Sequence, residues 1–536
     1  MREIERDGYT LGVDIGTSST KGVLVDSSGL IVAEASVGHS VQMPQPGYFE
    51  QDADSVWFAD FCSIVERLLA ESSVLPEQIL GVGVSAIGPC VLPVDVEGVP
   101  LRPGILYGID TRAQAEIEEL AQRYGAGDQR AASLDSQSIA PKILWLQRHE
   151  PEVWARTHRV LSAEGYIIHK LTGQAVLDIY DASASYAPLI DPTGTRWSTE
   201  HAELCSPDIL PELAWGCDVV GTVTALAAEL TGLREGTPVI VGTADAAAEA
   251  LSAGIRDPGD LMIMYGTSAF FILRTEEAST SGSFWPSHFH ERGDTALSGG
   301  MGIAGGLVAW TRDLLARHAS DGRELSFSDL TQLASESVPG AHGLLVLPYF
   351  VGERTPFFDP SARGAMLGLT VRHTRADICR AVLESIAYGI RHNVETMREE
   401  GHPVDRVLAV GGGTQNPLLM QIVSDVCGLE QWLPEQQVGA SLGDALRAAV
   451  GVGVFDSLSE AVSTVVHLPP IQPDSSARHI YDEMFELYKS AYRQTAEIAH
   501  RLGAIETATI EPGTSEVDAT TAGSISGTTL KGPDHD

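Results

Sequence analysis

Asp14 closes a β-branched run and is followed by Gly16, Thr17, Ser18, Ser19, Thr20 and Lys21. A carboxylate at a strand end, ahead of a glycine turn, is placed to hold hydrated magnesium. That ion takes one or two carboxylates and fills its shell with water and phosphate oxygens. At the Gly16 turn, Thr17, Ser18, Ser19 and Thr20 offer hydroxyl and backbone N–H donors to phosphate, and Lys21 adds a positive charge. The order is not that of a Walker loop, where glycine and four residues precede Gly-Lys-Ser/Thr. A plain hairpin with polar turn residues fits this stretch equally well. A second Gly266-Thr267-Ser268 stands 250 positions later. Two such turns in equivalent places grip a polyphosphate from both sides through backbone N–H groups.

Asp245 lies at the mouth of a strand in "GTADAAAEA". A lone aspartate there is a helix N-cap. Beside two phosphate turns it becomes the candidate base that accepts a proton from an attacking hydroxyl. Asp110 and Arg112 form a carboxylate–guanidinium pair ahead of a helix, suited to vicinal hydroxyls of a polyol or simply to a helix start. Gly411-Gly412-Gly413 follow the strand "RVLAV", and Asn416 caps a helix opened by Pro417. Those glycines let a flat ring approach the backbone, or serve turn geometry alone. His288 and His290 flank Phe289 without further ligands and read as surface or core residues rather than a metal site. "GVGVSA" fits a dinucleotide pattern formally, but a strand follows it rather than a helix.

The elements that must carry these residues follow from periodicity. Residues 9–37 alternate strands with turns at Gly16–Ser18 and Ser27–Gly29, giving two hairpins in succession. A helix runs from about Ala53 to Glu71 with Asp52 as its N-cap. "ILGVGVSAIG" and "CVLPVD" are strands, and Thr111 to Leu233 reads as mostly helical. "TPVIVGTADAAAEALSAGI" is a strand entering a small-residue helix. "GDLMIMYGTSAFFILRTEE" then repeats the layout of residues 9–26. The echo predicts two copies of one α/β domain across a cleft, at 1–255 and 256–503. Residues 504–536 are polar and Gly/Thr/Ser-rich, which predicts a disordered tail.

The totals narrow the partners. In 536 residues, 35 basic side chains face 72 acidic ones, for a net charge of -37. That argues against nucleic acid and acidic membrane surfaces. A polyanionic ligand must therefore be held by local donors and a metal, against the overall field. The six cysteines show no metal-ligand spacing, and no apolar run reaches ~18 residues, so a reducing cytoplasmic setting is expected.

These pieces, in this order, resemble the FGGY family of carbohydrate kinases, from about Tyr9 to about Gly503. The most specific part is residues 364–384, "GAMLGLTVRHTRADICRAVLE", with Gly364, Gly368, Asp377, Ala381 and Glu384 at the signature positions. "GYFEQDADSVW", "KILWLQRHEPEVW", "GYIIHKLTG" and "YFVGERTPFFDPSARG" resemble further blocks, the last that of xylulokinases. The resemblance implies a duplicated actin-like ATPase (ribonuclease H-like) fold and ATP-dependent phosphorylation of a small sugar or polyol. Asp14 would stand near magnesium and the transferred phosphoryl, and Asp245 would be the base. Gly266 and Thr267 would form the second phosphate turn, and Gly412, Gly413 and Asn416 the adenosine site. Ser85, Ile87, Gly88, Asp110 and Arg112 would lie on the sugar side. D-xylulose is the first substrate expected. Ribulose, fuculose, glycerol and a tetritol are alternatives, and a chaperone-like ATPase is an alternative of another class. A homodimer is the expected assembly.

Two departures stand out. Xylulokinases usually carry Gly-Gln-Met-His-Gly against the ketose, and glycerol kinases an Arg-Glu pair. Ser85–Cys90 here reads "SAIGPC". Asp444 occupies a helix position where the family usually has a small apolar residue, with tuning of the adenine end or capping of a turn as its expected role.

Overall fold

The computed structural model describes residues 8–125, 134–277, 282–316 and 325–509. Strands β1 (Tyr9–Ile15), β2 (Ser19–Asp26) and β3 (Ile31–Gly38) form the two expected antiparallel hairpins. β4 (Ile79–Ala86) pairs with β1 in parallel, and β5 (Val219–Thr222) and β6 (Pro238–Ile240) extend the sheet. Its order is β5-β6-β4-β1-β2-β3, with the short β7 (Thr243–Ala244) against the end of β4.

A second sheet holds β8 (Asp260–Tyr265), β9 (Ala269–Thr275), β10 (Trp285–His288), β11 (Thr295–Met301), β12 (Arg406–Val410) and β13 (Gln431–Trp432). Its order is β10-β11-β9-β8-β12-β13. The segments β3-β2-β1-β4 and β11-β9-β8-β12 match strand for strand. Each has two antiparallel pairings and then a parallel one. The repeat seen in the sequence is a repeat of topology.

Helix α1 (Ala59–Ser72) continues a π-helical turn over Ala53–Phe58, where the Asp52 carboxylate accepts the Ser55 N–H. α2 (Asp245–Ala253) lays Ala247, Ala250 and Ala253 on Met262, Ile272, Leu408 and Val410 of the second sheet. α3 (Arg375–Glu399) opens with a capping box between Thr374 and Asp377, and α4 (Pro417–Cys427) is capped by the Asn416 side chain. α5 (Ser441–Gly451) follows the second sheet in sequence yet covers the first. Its Leu442, Ala445, Leu446 and Ala449 pack with Val23 and Val25.

Glycines make that crossing possible. A Cβ on Gly12 would stand 1.9 Å from the Ser441 carbonyl oxygen, and one on Gly83 2.2 Å from that of Asp444. The glycines of "GVGVSA" therefore serve helix–sheet packing. α2 and α5 also touch each other. A Cβ on Gly443 would lie 2.0 Å from the Ala248 carbonyl oxygen, and the Gly443 N–H donates to Ser252 Oγ at 2.7 Å.

Two expectations need correction. Among the described residues of 111–233 the chain is not mostly helical: strands Arg159–Leu161, Val176–Asp178, Glu212–Ala214 and β5 interrupt six short α-helices. Prolines and glycines between 188 and 221 break the apolar periodicity that suggested longer ones. The tail does not begin after Gly503, because α6 (Arg478–Thr509) runs six residues further through "AIETAT". The rest of the predicted tail lies outside the described residues. All six cysteines are unpaired thiols. Among the described residues, no helix is long and apolar enough to cross a membrane.

Candidate active site

Asp14 occupies the penultimate position of β1, opposite Lys21 on β2 and beside Ser85 on β4. The residue is only 8% exposed. Burial pushes its carboxyl up to about 6, against the Ser85 hydroxyl and the Lys21 charge.

The turn that follows is braced from behind. His39 bridges the Gly16 carbonyl oxygen (Nε2, 2.9 Å) and Asp60 (Nδ1, 2.7 Å). Gln51 Nε2 donates to the Thr17 carbonyl oxygen at 2.9 Å, and the His39 N–H to that of Ser18 at 2.9 Å. The second turn is built on the same logic with different parts. The Gly305 N–H donates to the Gly266 carbonyl oxygen at 3.0 Å, and the N–H groups of Ala304 and Gly306 to that of Thr267 at 2.8 and 3.0 Å. In both turns the carbonyl oxygens are engaged within the protein. The Gly16 and Gly266 N–H groups donate to the Ser19 and Ser268 carbonyl oxygens, so what remains for a ligand is the N–H groups of the residues after each glycine, the donor type an anion needs. Sequence reasoning missed His39 and Gln51. Gln51 lies inside the quoted block "GYFEQDADSVW", the one available signal.

Asp245 opens α2 and its carboxylate accepts the Ala246 N–H at 2.7 Å. It is partly exposed, and burial followed by the Asp14 and Glu249 charges holds its carboxyl well above the usual range. Glu249 lies one helical turn along α2, on the same face. Burial and the Asp14 charge push it up to about 7. Tyr107, also missed, joins this group: its hydroxyl lies 3.0 Å from Thr17 Oγ1, and Asp245 adds to the burial that raises its phenol.

The glycine loop after β12 leans on Tyr265, the residue just ahead of the second turn. Gly411 has φ of +88°, and a Cβ there would meet the Tyr265 carbonyl oxygen at 2.8 Å. A Cβ on Gly413 would meet Tyr265 Cβ at 2.7 Å, whereas Gly412 faces open space. Asn416 commits its Oδ1 to the Leu419 N–H. It also lines a crevice with Val308, Thr311, Leu330 and Cys379.

The sugar-side residues are placed differently from expectation. The Ser85 side chain is fully buried, and its hydroxyl is taken by Asp14 and Asp444. Ile87 belongs to the apolar core. Only Gly88 of that trio is partly exposed, close against Ala244 and so beside Asp245. Asp110 and Arg112 pair as expected, but inward. Asp110 accepts the Phe49 N–H at 2.6 Å and three contacts from the Arg112 guanidinium. Arg112 Nη1 donates to Glu50 at 2.8 Å, and its guanidinium lies over Tyr48 and Trp145. A carboxylate so fully subscribed has no acceptor left for a polyol. Asp444 neither caps a turn nor faces a ring: it sits in the first turn of α5 against the first sheet, bonded to Ser85. His288 and His290 contact the Thr193 and Ala247 carbonyl oxygens and serve packing.

The doubled sheet defines the actin-like ATPase class of fold, with a Gly-Thr-Ser hairpin turn in each copy. The chain belongs to the FGGY family of carbohydrate kinases. The family's N-terminal domain matches residues 9–252 and its C-terminal domain residues 261–452. It is 33% identical over 510 residues to a xylulose kinase of Lactococcus lactis, covering 92% of this chain and 98% of that one. A xylulose kinase of Bacillus subtilis is 31% identical over 499 residues, covering 91% and 98%. The crystal structure of xylulose kinase from Rhodospirillum rubrum superposes with a TM-score of 0.83 at 31% identity, covering 92% of this chain and all of that one. The protein is thus a xylulokinase-like sugar kinase, a phosphotransferase with an alcohol acceptor and ATP as co-substrate.

Proposed function

We propose that the enzyme transfers the γ-phosphoryl of ATP to a hydroxyl of a ketopentose, D-xylulose first, with magnesium held at Asp14. The observation that carries this is the pair of braced turns, both with their carbonyl oxygens engaged, with Asp245 at the start of α2 close enough to Asp14 to feel its charge. Asp14 suits magnesium: Ser85 occupies one carboxylate oxygen, and a single carboxylate with water and phosphate oxygens is the donor set that ion accepts. Magnesium there would neutralise charge on the phosphates.

The protein residues act by placement. The two turns hold the polyphosphate through N–H groups, and the loop at Gly412 and the crevice at Asn416 receive the adenosine. Asp245 takes the proton of the sugar hydroxyl as its oxygen bonds to the γ-phosphorus. The bond from that phosphorus to the bridging oxygen breaks, and ADP leaves. Positioning and fixed charge supply the acceleration in such transfers. An ADP-release screen over D-xylulose, L-ribulose, D-ribulose, glycerol and tetritols tests the substrate. D-xylulose is expected to give the highest kcat/KM, and sugar-independent ATP hydrolysis would sink the reading.

Glu249 adds a pH prediction. Asp245 works as a base only when ionised, and burial together with the charges of Asp14 and Glu249 raises its pKa, so activity fails on the acid side. Glu249→Gln removes one of those like charges. The acid limb of the kcat/KM profile should move to lower pH. An unmoved limb, or one moved upward, counts against Asp245 as the base.

A further inference from the structure

Ser85, which opens the divergent segment "SAIGPC", and Asp444 are 359 residues apart and hydrogen-bonded to each other. The Ser85 hydroxyl lies 2.6 Å from Asp444 Oδ2 and 3.1 Å from Asp14 Oδ1. Parallel register sets Ser85 beside Asp14, so the serine stands between two carboxylates. We propose that Ser85 and Asp444 are a positioning pair for Asp14, fixing which carboxylate oxygen faces the bound metal and phosphates. This rests on the reading of Asp14 as the metal-holding carboxylate.

The backbone around the pair is immovable on this scale. The Asp444 carbonyl group is pressed onto Gly83 and that of Ser441 onto Gly12, so α5 cannot shift along the sheet without clash. The Asp444 side chain is 0% exposed, and its Oδ1 faces Arg447 Nη1 at 3.6 Å. Arg447 is itself held by the carbonyl oxygens of Gly216 and Val241. Asp444 therefore has Ser85 as hydrogen-bond partner on one side and the Arg447 charge on the other.

A serine has one proton to donate and can point it two ways. Asp444 Oδ2 and Asp14 Oδ1 share that proton, which keeps the Ser85 oxygen between them and Asp14 Oδ1 beside it. Asp14 Oδ2 is then presented in one direction. A small apolar residue at 444 would leave Ser85 free to rotate and Asp14 free to turn with it. Partners that orient a ligating carboxylate from behind matter for affinity and rate alike.

The test compares Ser85→Ala, Asp444→Ala and Asp444→Asn, with Asp14→Asn as control. The readouts are the dissociation constant of Mn²⁺ in the presence of ADP, and kcat and KM for the sugar. Ser85→Ala and Asp444→Ala should each weaken Mn²⁺ binding and lower kcat by roughly 10–100-fold, with the sugar KM unchanged. The double variant should be no worse than the worse single, because the two residues act as one unit. Asp444→Asn keeps Ser85 bonded and should restore most of both parameters. Ser85→Ala removes one oxygen, so it carries the test even if Asp444→Ala fails to fold. The pairing is overturned if Ser85→Ala binds Mn²⁺ like the parent while Asp14→Asn does not, or if Asp444→Asn is as damaged as Asp444→Ala. If Asp14→Asn itself binds Mn²⁺ normally, the reading of Asp14 fails, and the pairing falls with it.

Discussion

Asp245→Asn is expected to lower kcat by roughly 10²–10⁴-fold while ADP binding and the sugar KM stay near the parent's. The substitution keeps the shape of the side chain and the bond from the Ala246 N–H. It removes the one property the mechanism needs, a basic oxygen beside the first turn. Glu249 is one helical turn away, yet it does not stand in for the base, since its carboxylate is set back by that turn along α2. Neither turn loses a brace, because the groups that hold them come from His39, Gln51 and the helix at Gly305. Steady-state kinetics and ADP titration by calorimetry separate the two effects. A parent-like kcat would remove Asp245 from the chemistry, and lost ADP binding would make its role architectural.

Arg447→Met should cost about 3–5 kcal/mol of stability at pH 8, the range for removing one partner of a buried ionic group. The Arg447 side chain is 0% exposed and donates to the Gly216 carbonyl oxygen at 2.6 Å. Asp444 and Asp178 lie 3.6 and 3.8 Å away. Methionine fills the space but leaves both carboxylates without their cation. Burial raises both carboxyls above their ordinary values, and Arg447 is the largest influence opposing it. The sign follows. Groups with raised pKa values favour the folded state while protonated, and that support is lost as pH rises through the folded pKa. Without Arg447 the rise is steeper, so the variant's deficit should be large at pH 8 and shrink toward pH 5. Urea unfolding at both pH values measures it. An equal deficit at the two would mean that lost packing, not charge, is responsible.

Local rules made much of the molecule legible. The hairpins of residues 9–37, the Asp52 cap and the Asn416–Pro417 helix start each follow from a few neighbouring residues, and the structure keeps them. The repeat was legible because both copies kept a Gly-Thr-Ser turn between strands. What stayed hidden depends on contacts between distant segments. Asp110 and Arg112 could be paired from their spacing. That Glu50, Tyr48 and Trp145 close over them could not, since those residues arrive from other elements. Ser85 read as a sugar contact because its segment aligns with the stretch that touches the ketose in xylulokinases. Only the return of α5 across Gly12 and Gly83 shows that its hydroxyl is already spoken for.

That return also imposes an order of assembly. Ile79–Ala86 completes the central strands of the first sheet early, but the helix that covers their glycine face lies at Ser441–Gly451. The intervening stretch of roughly 350 residues takes about 20–70 s to synthesise at ~5–20 residues per second. Through that interval the trough at Gly12 and Gly83 is uncovered, and Ser85 lacks its second partner. The N-terminal half therefore cannot finish folding ahead of the C-terminal half, and the carboxylate at the end of the first strand is seated by one of the last helices to emerge.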